Sequence, residues 1–156
     1  MKFERIRPTK TERGTYTFTV QDAEGRAREF EAQKYGALEA TDTLLDLMSI
    51  GGEAIGSATA NTEQGQSVMQ ALMKSLSSKL KADKRLAKDL LEKLSSSRIV
   101  CDGCNIDFDK FYADDLMLCF KAAYGNIEVQ FANFFSSAGK LLGTSEKDKL
   151  QAATTT

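Results

Sequence analysis

The sequence predicts an α+β fold: an N-terminal antiparallel β-hairpin followed by a mainly helical part of about five amphipathic helices. Three observations predict it. Through residues 14–33 apolar side chains alternate with polar ones, the period of a half-buried strand. From Ala37 onward they recur at spacings of three and four, the period of a helix with one dry face. At 156 residues the chain fits one domain and one core.

In Tyr16-Thr17-Phe18-Thr19-Val20 the apolar residues alternate with threonine; Asp22-Ala23-Glu24-Gly25 supplies a turn, and Arg26 to Ala32 alternates again toward Phe30. The hairpin therefore has two strands, or three if Lys2 to Arg7, ended by Pro8, adds an edge. A first helix is expected over 37–50, with Leu38, Thr41, Leu44, Leu45 and Met48 on one helical face and Gly51-Gly52 as its stop. The small, weakly patterned GGEAIGSATAN after it reads as a flexible connection. Helices are expected over 63–80, from Met69, Leu72, Met73, Leu76 and Leu80, and over 83–96, from Leu86, Leu90 and Leu94; one longer kinked helix is the alternative. Ser95-Ser96-Ser97 ends that pattern, and Arg98 to Cys101 reads as a short extended piece.

Every Phe and Tyr beyond Tyr35 then falls between Cys104 and Leu142. Tyr112, Leu116, Phe120 and Tyr124 form one helical stripe and Ile127, Phe131, Phe134, Phe135, Ala138, Leu141 and Leu142 another, predicting helices over 110–124 and 127–142. Between them Gly125-Asn126 pairs a residue suited to ending a helix with one suited to capping the next, so the two are expected to turn back as an αα-hairpin. GTSEKDKLQAATTT has little apolar content. The domain is accordingly placed at 1–143, with its helical part over 37–142, and 144–156 is read as a flexible tail.

Composition narrows the function. No apolar run approaches the roughly 20 residues of a membrane span, and MKFERIRPTKTERG lacks the apolar stretch of a secretory signal, so the cytoplasm is the expected location. Twenty-one basic against 22 acidic residues give a net charge of −1, which calls for neither nucleic acid nor an anionic membrane. The lysines from Lys79 to Lys93 are interleaved with Asp83, Asp89 and Glu92 and read as a solvated face. There is no histidine, the commonest general base and transition-metal ligand.

Cys101-Asp102-Gly103-Cys104 is a C-x-x-C, but only Cys119 remains as a further thiol, short of a four-ligand zinc site, and no helix opens at the pair as a thioredoxin-like motif requires. It reads as a glycine turn flanked by two small buried thiols. Asp107, Asp109, Asp114 and Asp115 lack the spacing of a calcium loop; Asp107 or Asp109 is expected to cap the helix starting near Lys110. No phosphate-binding glycine pattern occurs. No catalytic, cofactor-binding or metal-binding residue is assigned.

What remains is apolar helical surface, more than a small sheet needs to cover it, and a groove for a partner's apolar helix is the expectation. Phe134 and Phe135 are adjacent, hence about 100° apart on a helix, so one of them is expected to face a partner.

The order of parts, with Ile106-Asp107-Phe108-Asp109-Lys110-Phe111 and the run from Asn126 through Asn133-Phe134-Phe135, resembles the tail assembly chaperones of bacteriophages and prophages. The chain departs from that pattern at Ala113-Asp114-Asp115, where a basic-and-glycine pair is usual, and in its C-x-x-C. The resemblance implies a non-enzymatic protein of the infected or lysogenic host's cytoplasm that keeps the tape measure protein soluble while tail tube subunits polymerise, and that is then lost from the particle. It also implies that a frameshifted longer product is common. Phe108, Phe111, Phe131, Phe134 and Phe135 are the candidates for partner binding. A small structural tail or baseplate component, retained in the virion, is the alternative.

Overall fold

The computed structural model describes residues 6–60 and 84–154, with side chains described within 6–50 and 84–134 and at Ser137. The elements run β1 (Thr9–Lys10), β2 (Tyr16–Gln21), β3 (Ala27–Ala32), α1 (Ala37–Ala60), α2 (Lys84–Ser96), β4 (Ile99–Cys101), β5 (Cys104–Asn105), α3 (Phe108–Phe111) and α4 (Leu116–Thr154). The α+β class holds, with five strands and four helices among the described residues. The helix expected over 63–80 lies outside them.

The alternating segments pair as expected, β2 against β3 with Phe18 opposite Phe30. The hairpin is part of a larger antiparallel sheet of order β1-β2-β3-β4-β5. Thr9–Lys10, after Pro8, pairs with β2 as an edge strand, while most of the edge expected over Lys2 to Arg7 lies outside the described residues. The extended piece at Ile99–Cys101 pairs with β3, Phe30 opposite Cys101, and turns straight into β5. Residues with the period of two put Phe18, Val20, Phe30, Ala32, Ile99 and Cys101 on one dry face.

α4 packs on that face through Leu118, Cys119, Ala122 and Val129. Its other side, Ala123, Ile127 and Phe131, meets Leu47 and Ile50 of α1 and Ala87, Leu90 and Leu94 of α2. The molecule is thus layered as sheet, central helix, then a pair of outer helices.

The predicted αα-hairpin is absent, because α4 passes unbroken through Gly125-Asn126. Gly125 is not among the glycines with positive φ, and a Cβ placed on it would overlap the Phe18 ring, so its use is close approach rather than helix ending. Asn126 is fully buried and donates to the Leu94 carbonyl at 2.9 Å and the Tyr35 hydroxyl at 3.1 Å. The Leu94 carbonyl is among the last four of α2, which have no partner in their own helix. Asn126 caps a helix, but a different one. Tyr112 adds a second cap there, its hydroxyl donating to the Ser95 carbonyl at 2.7 Å.

Three further expectations are corrected. Gly51-Gly52 does not stop α1, which continues to Ala60; glycine lowers helix propensity by about 1 kcal/mol without forbidding the conformation, and Leu47 and Ile50 anchor the turns just before it. The helix expected over 110–124 is split, with a turn at Tyr112–Asp115 between α3 and α4. Asp107 makes no side-chain capping bond; Asp115 instead caps α4, its Oδ1 accepting from the Leu118 amide at 3.0 Å and its Oδ2 from the Ala23 amide of the hairpin turn at 2.7 Å. α4 carries helical backbone as far as Thr154.

Candidate functional site

A surface that binds by apolar contact is built from side chains the fold leaves outside its two clusters, so the five candidate phenylalanines divide by where α3 and α4 put them. Phe131 is 3 % exposed and belongs to the cluster between α4, α1 and α2. Phe108 and Phe111 are half-buried against the sheet cluster and grip Tyr112 edge-on, ring centroids 5.6 and 4.8 Å away. The Arg28 guanidinium covers Phe111 at 5.3 Å. Phe134, one turn beyond Phe131, is 47 % exposed. The Phe135 side chain lies outside the described residues. The structure therefore separates these candidates between two regions, and of the described four it brings only Phe134 well into solvent.

Other apolar side chains join Phe134 on the outside: Leu38 at 90 % exposure, Leu45 at 60 %, Met48 at 47 % and Leu116 at 68 %. Three of the four are on α1, on the one helical face its spacing predicts, and Leu116 was expected in the core. α1 buries Thr43, Leu47 and Ile50 instead, with Ala40 and Leu44 half-covered. The sequence held a signal for this: Leu38 and Leu45 lie on the opposite side from Leu47, and a helix apolar on two sides has two neighbours to satisfy.

The C-x-x-C spans the β4–β5 turn, Cys101 directly opposite Cys104. Asp102 and Gly103 occupy that two-residue turn with φ of 49° and 79°, the left-handed backbone such a turn requires. Both thiols are free; Cys101 is buried, while Cys104 is exposed rather than buried as expected. Burial pushes the Cys101 thiol up to about 11, with the neighbouring Asp102 carboxylate adding to the effect. It is therefore a neutral thiol at physiological pH, a poor nucleophile and metal ligand. Asp102 fastens the turn to β3, accepting from the Glu29 amide at 3.1 Å and the Arg28 guanidinium at 2.8 Å; those bonds hold its carboxyl below the usual carboxylate range. Among the described residues no group of three or more His, Cys, Asp or Glu comes together as metal ligands would, and no helix is long and apolar enough to cross a membrane.

A groove of about 500 Å³ opens on the sheet between Arg13, Glu31, Gln33, Arg98 and Asn105. Its charges are mixed, and two of them are engaged: Arg98 pairs with Glu39 at 3.1 Å, and Glu31 accepts from Thr15. No catalytic dyad faces it.

Comparison with known families gives this exposed apolar helix a place. A family model described as phage tail assembly chaperone protein, TAC, matches residues 25–143. The chain belongs to the phage tail assembly chaperone family. The match runs from Gly25 in the β2–β3 turn into α4 at Gly143, taking in the cluster between α4, α1 and α2 and the exposed face of α1, while Phe18 and Val20 of the sheet cluster lie before it. No curated protein and no solved structure matches this chaperone.

Proposed function

We propose that this chaperone binds the phage tape measure protein and keeps it soluble in the bacterial host's cytoplasm while the tail tube polymerises, without enzymatic chemistry, and that the tube protein is its second contact. The observation that carries the reading is apolar side chain left in solvent on helices, Leu38, Leu45 and Met48 on α1 and Phe134 on α4, in a member of the tail assembly chaperone family. Such surface costs free energy in water, and covering an apolar helix from a partner removes that cost for both. A long polypeptide awaiting assembly needs this kind of reversible cover, and apolar contact releases its occupant without a chemical step.

Co-expression of the tape measure protein with and without the chaperone tests this. The soluble fraction of the tape measure should rise severalfold with the wild-type chaperone, and Phe134→Ala and Phe135→Ala should reduce the gain according to how far each side chain meets the partner. Equal solubility without the chaperone, together with stoichiometric chaperone in purified particles, would give the structural tail-component reading the advantage.

A further inference from the structure

The outer face of α1 has a chemistry of its own. At about 100° per residue, Leu38, Thr41, Leu45 and Met48 fall within roughly 80° of arc, opposite the buried Thr43 and Leu47. The charged residues of α1 are Glu39, Asp42, Asp46 and Glu53, with no Lys or Arg in its 24 residues. Glu39 is occupied by Arg98 at 3.1 Å and Lys93 at 3.9 Å. Asp42 and Asp46 form no ion pair among the described residues. Both lie on the same side of the apolar stripe, about 40° and 80° round from Leu38 by the same spacing. The stripe is thus bordered along one edge by unpaired carboxylates.

We propose that this face docks an amphipathic helix of a partner protein whose own apolar stripe is bordered by Lys or Arg. Knobs at spacings of three and four on a single convex helix accept the ridges of another helix, whereas a strand would find no backbone edge to pair with. An acidic border selects the charge of the occupant, since like charges brought together across an apolar contact repel where little water is left to screen them. The same term disfavours a second copy of the chain, which would set one α1 border against another. The inference rests on the chaperone reading for the partner's identity and not for its chemistry.

The test uses the full chain and two synthetic helical peptides of about 18 residues, five turns, sharing one leucine stripe, one bordered by Lys and the other by Glu. Fluorescence anisotropy at low salt should show the Lys peptide binding at least about tenfold more tightly, with the advantage shrinking as salt is raised. Leu45→Asp, at an exposed position, should abolish that binding while leaving the circular dichroism spectrum unchanged. Asp42→Lys with Asp46→Lys should reverse the preference toward the Glu peptide. Equal affinity for the two peptides, binding of neither, or a preference indifferent to the reversal overturns the proposal. So does a dimer in sedimentation that Leu45→Asp dissociates, because the face then belongs to a second copy. In co-expression, a Leu45→Asp chaperone that solubilises the tape measure as well as wild type sinks the docking face alone. A wild-type chaperone that fails to solubilise it sinks the chaperone reading, and the peptide result stands apart from it.

Discussion

Gly125 and Asn126 sit side by side in the first third of α4, and each is chosen for a neighbour far away in sequence. Phe18 lies where a Cβ on Gly125 would be. Gly125→Ala gains about 1 kcal/mol of helix propensity and should still lose about 1–3 kcal/mol overall, because the ring or the helix must move. Urea denaturation measures it, and Phe18→Leu in the same chain should recover part of the loss, since the two sites are in contact. Asn126→Ala strips the Leu94 carbonyl, the Tyr35 hydroxyl and the Gln130 amide of a partner at once. With buried groups left unsatisfied the expected cost is about 3 kcal/mol, and a loss under about 1 would show that water replaces the side chain. Cys101 bears on pH. Its neutral thiol is favoured by the fold, which raises the folded value from 9.0 to about 11. That contribution is complete below about pH 9 and is lost as pH climbs toward 11. Cys101→Ala should flatten the alkaline decline of the melting temperature over that range; Tyr112, also raised by burial, leaves a remainder.

Among the elements, α4 depends on its first turn. Asp115 caps it and reaches the hairpin turn at Ala23 with its other oxygen, so one carboxylate ties the central helix to the sheet. Asp115→Ala should cost about 1–2 kcal/mol, at the upper part of the range for a cap because a tether is lost with it. Asp115→Asn, which keeps an acceptor for the Leu118 amide, should recover most of that; identical losses for both variants would mean that the charge and not the cap matters. α2 is held at its other end, where Asn126 and Tyr112 take the Leu94 and Ser95 carbonyls. The element most visible in the sequence was also the most local one: the helix expected over 83–96 is helical from the first described residue, Lys84, and ends at Ser96, since its leucine spacing and its serine stop are both written within the segment.

For the whole molecule, α4 serves two layers at once, sheet on one side and α1 with α2 on the other. Circular dichroism should give a helical share well above the third that is ordinary for globular domains; a value near or below it would contradict a helix running from Leu116 to Thr154. The same arrangement leaves the outside of α1 exposed. With α4 already covered by the sheet and by the inner faces of α1 and α2, no element among those described remains to cover Leu38, Leu45 and Met48.

The α+β class, the β2–β3 hairpin, α2 and the aromatic wealth of residues 104–142 were determined by the sequence itself, because a strand or helix with one dry face repeats its polarity at its own period. The phage tail assembly chaperone resemblance was legible there too, in the run from Ile106 to Phe111 and in Asn133-Phe134-Phe135. Which of two apolar stripes on α1 goes inside was not legible. Leu38, Leu45 and Leu47 are alike in hydrophobicity, and only the position of α2 and α4 decides among them. Nor was the continuity of α4. Glycine beside asparagine favours a turn by local preference, worth about 1 kcal/mol, and that preference is outweighed when the missing Cβ admits Phe18 and the amide satisfies a carbonyl of another helix. Local pattern is carried by neighbours in the chain, whereas choice of face and helix continuity are settled by residues 30 to 110 positions away, which only the folded structure brings into contact.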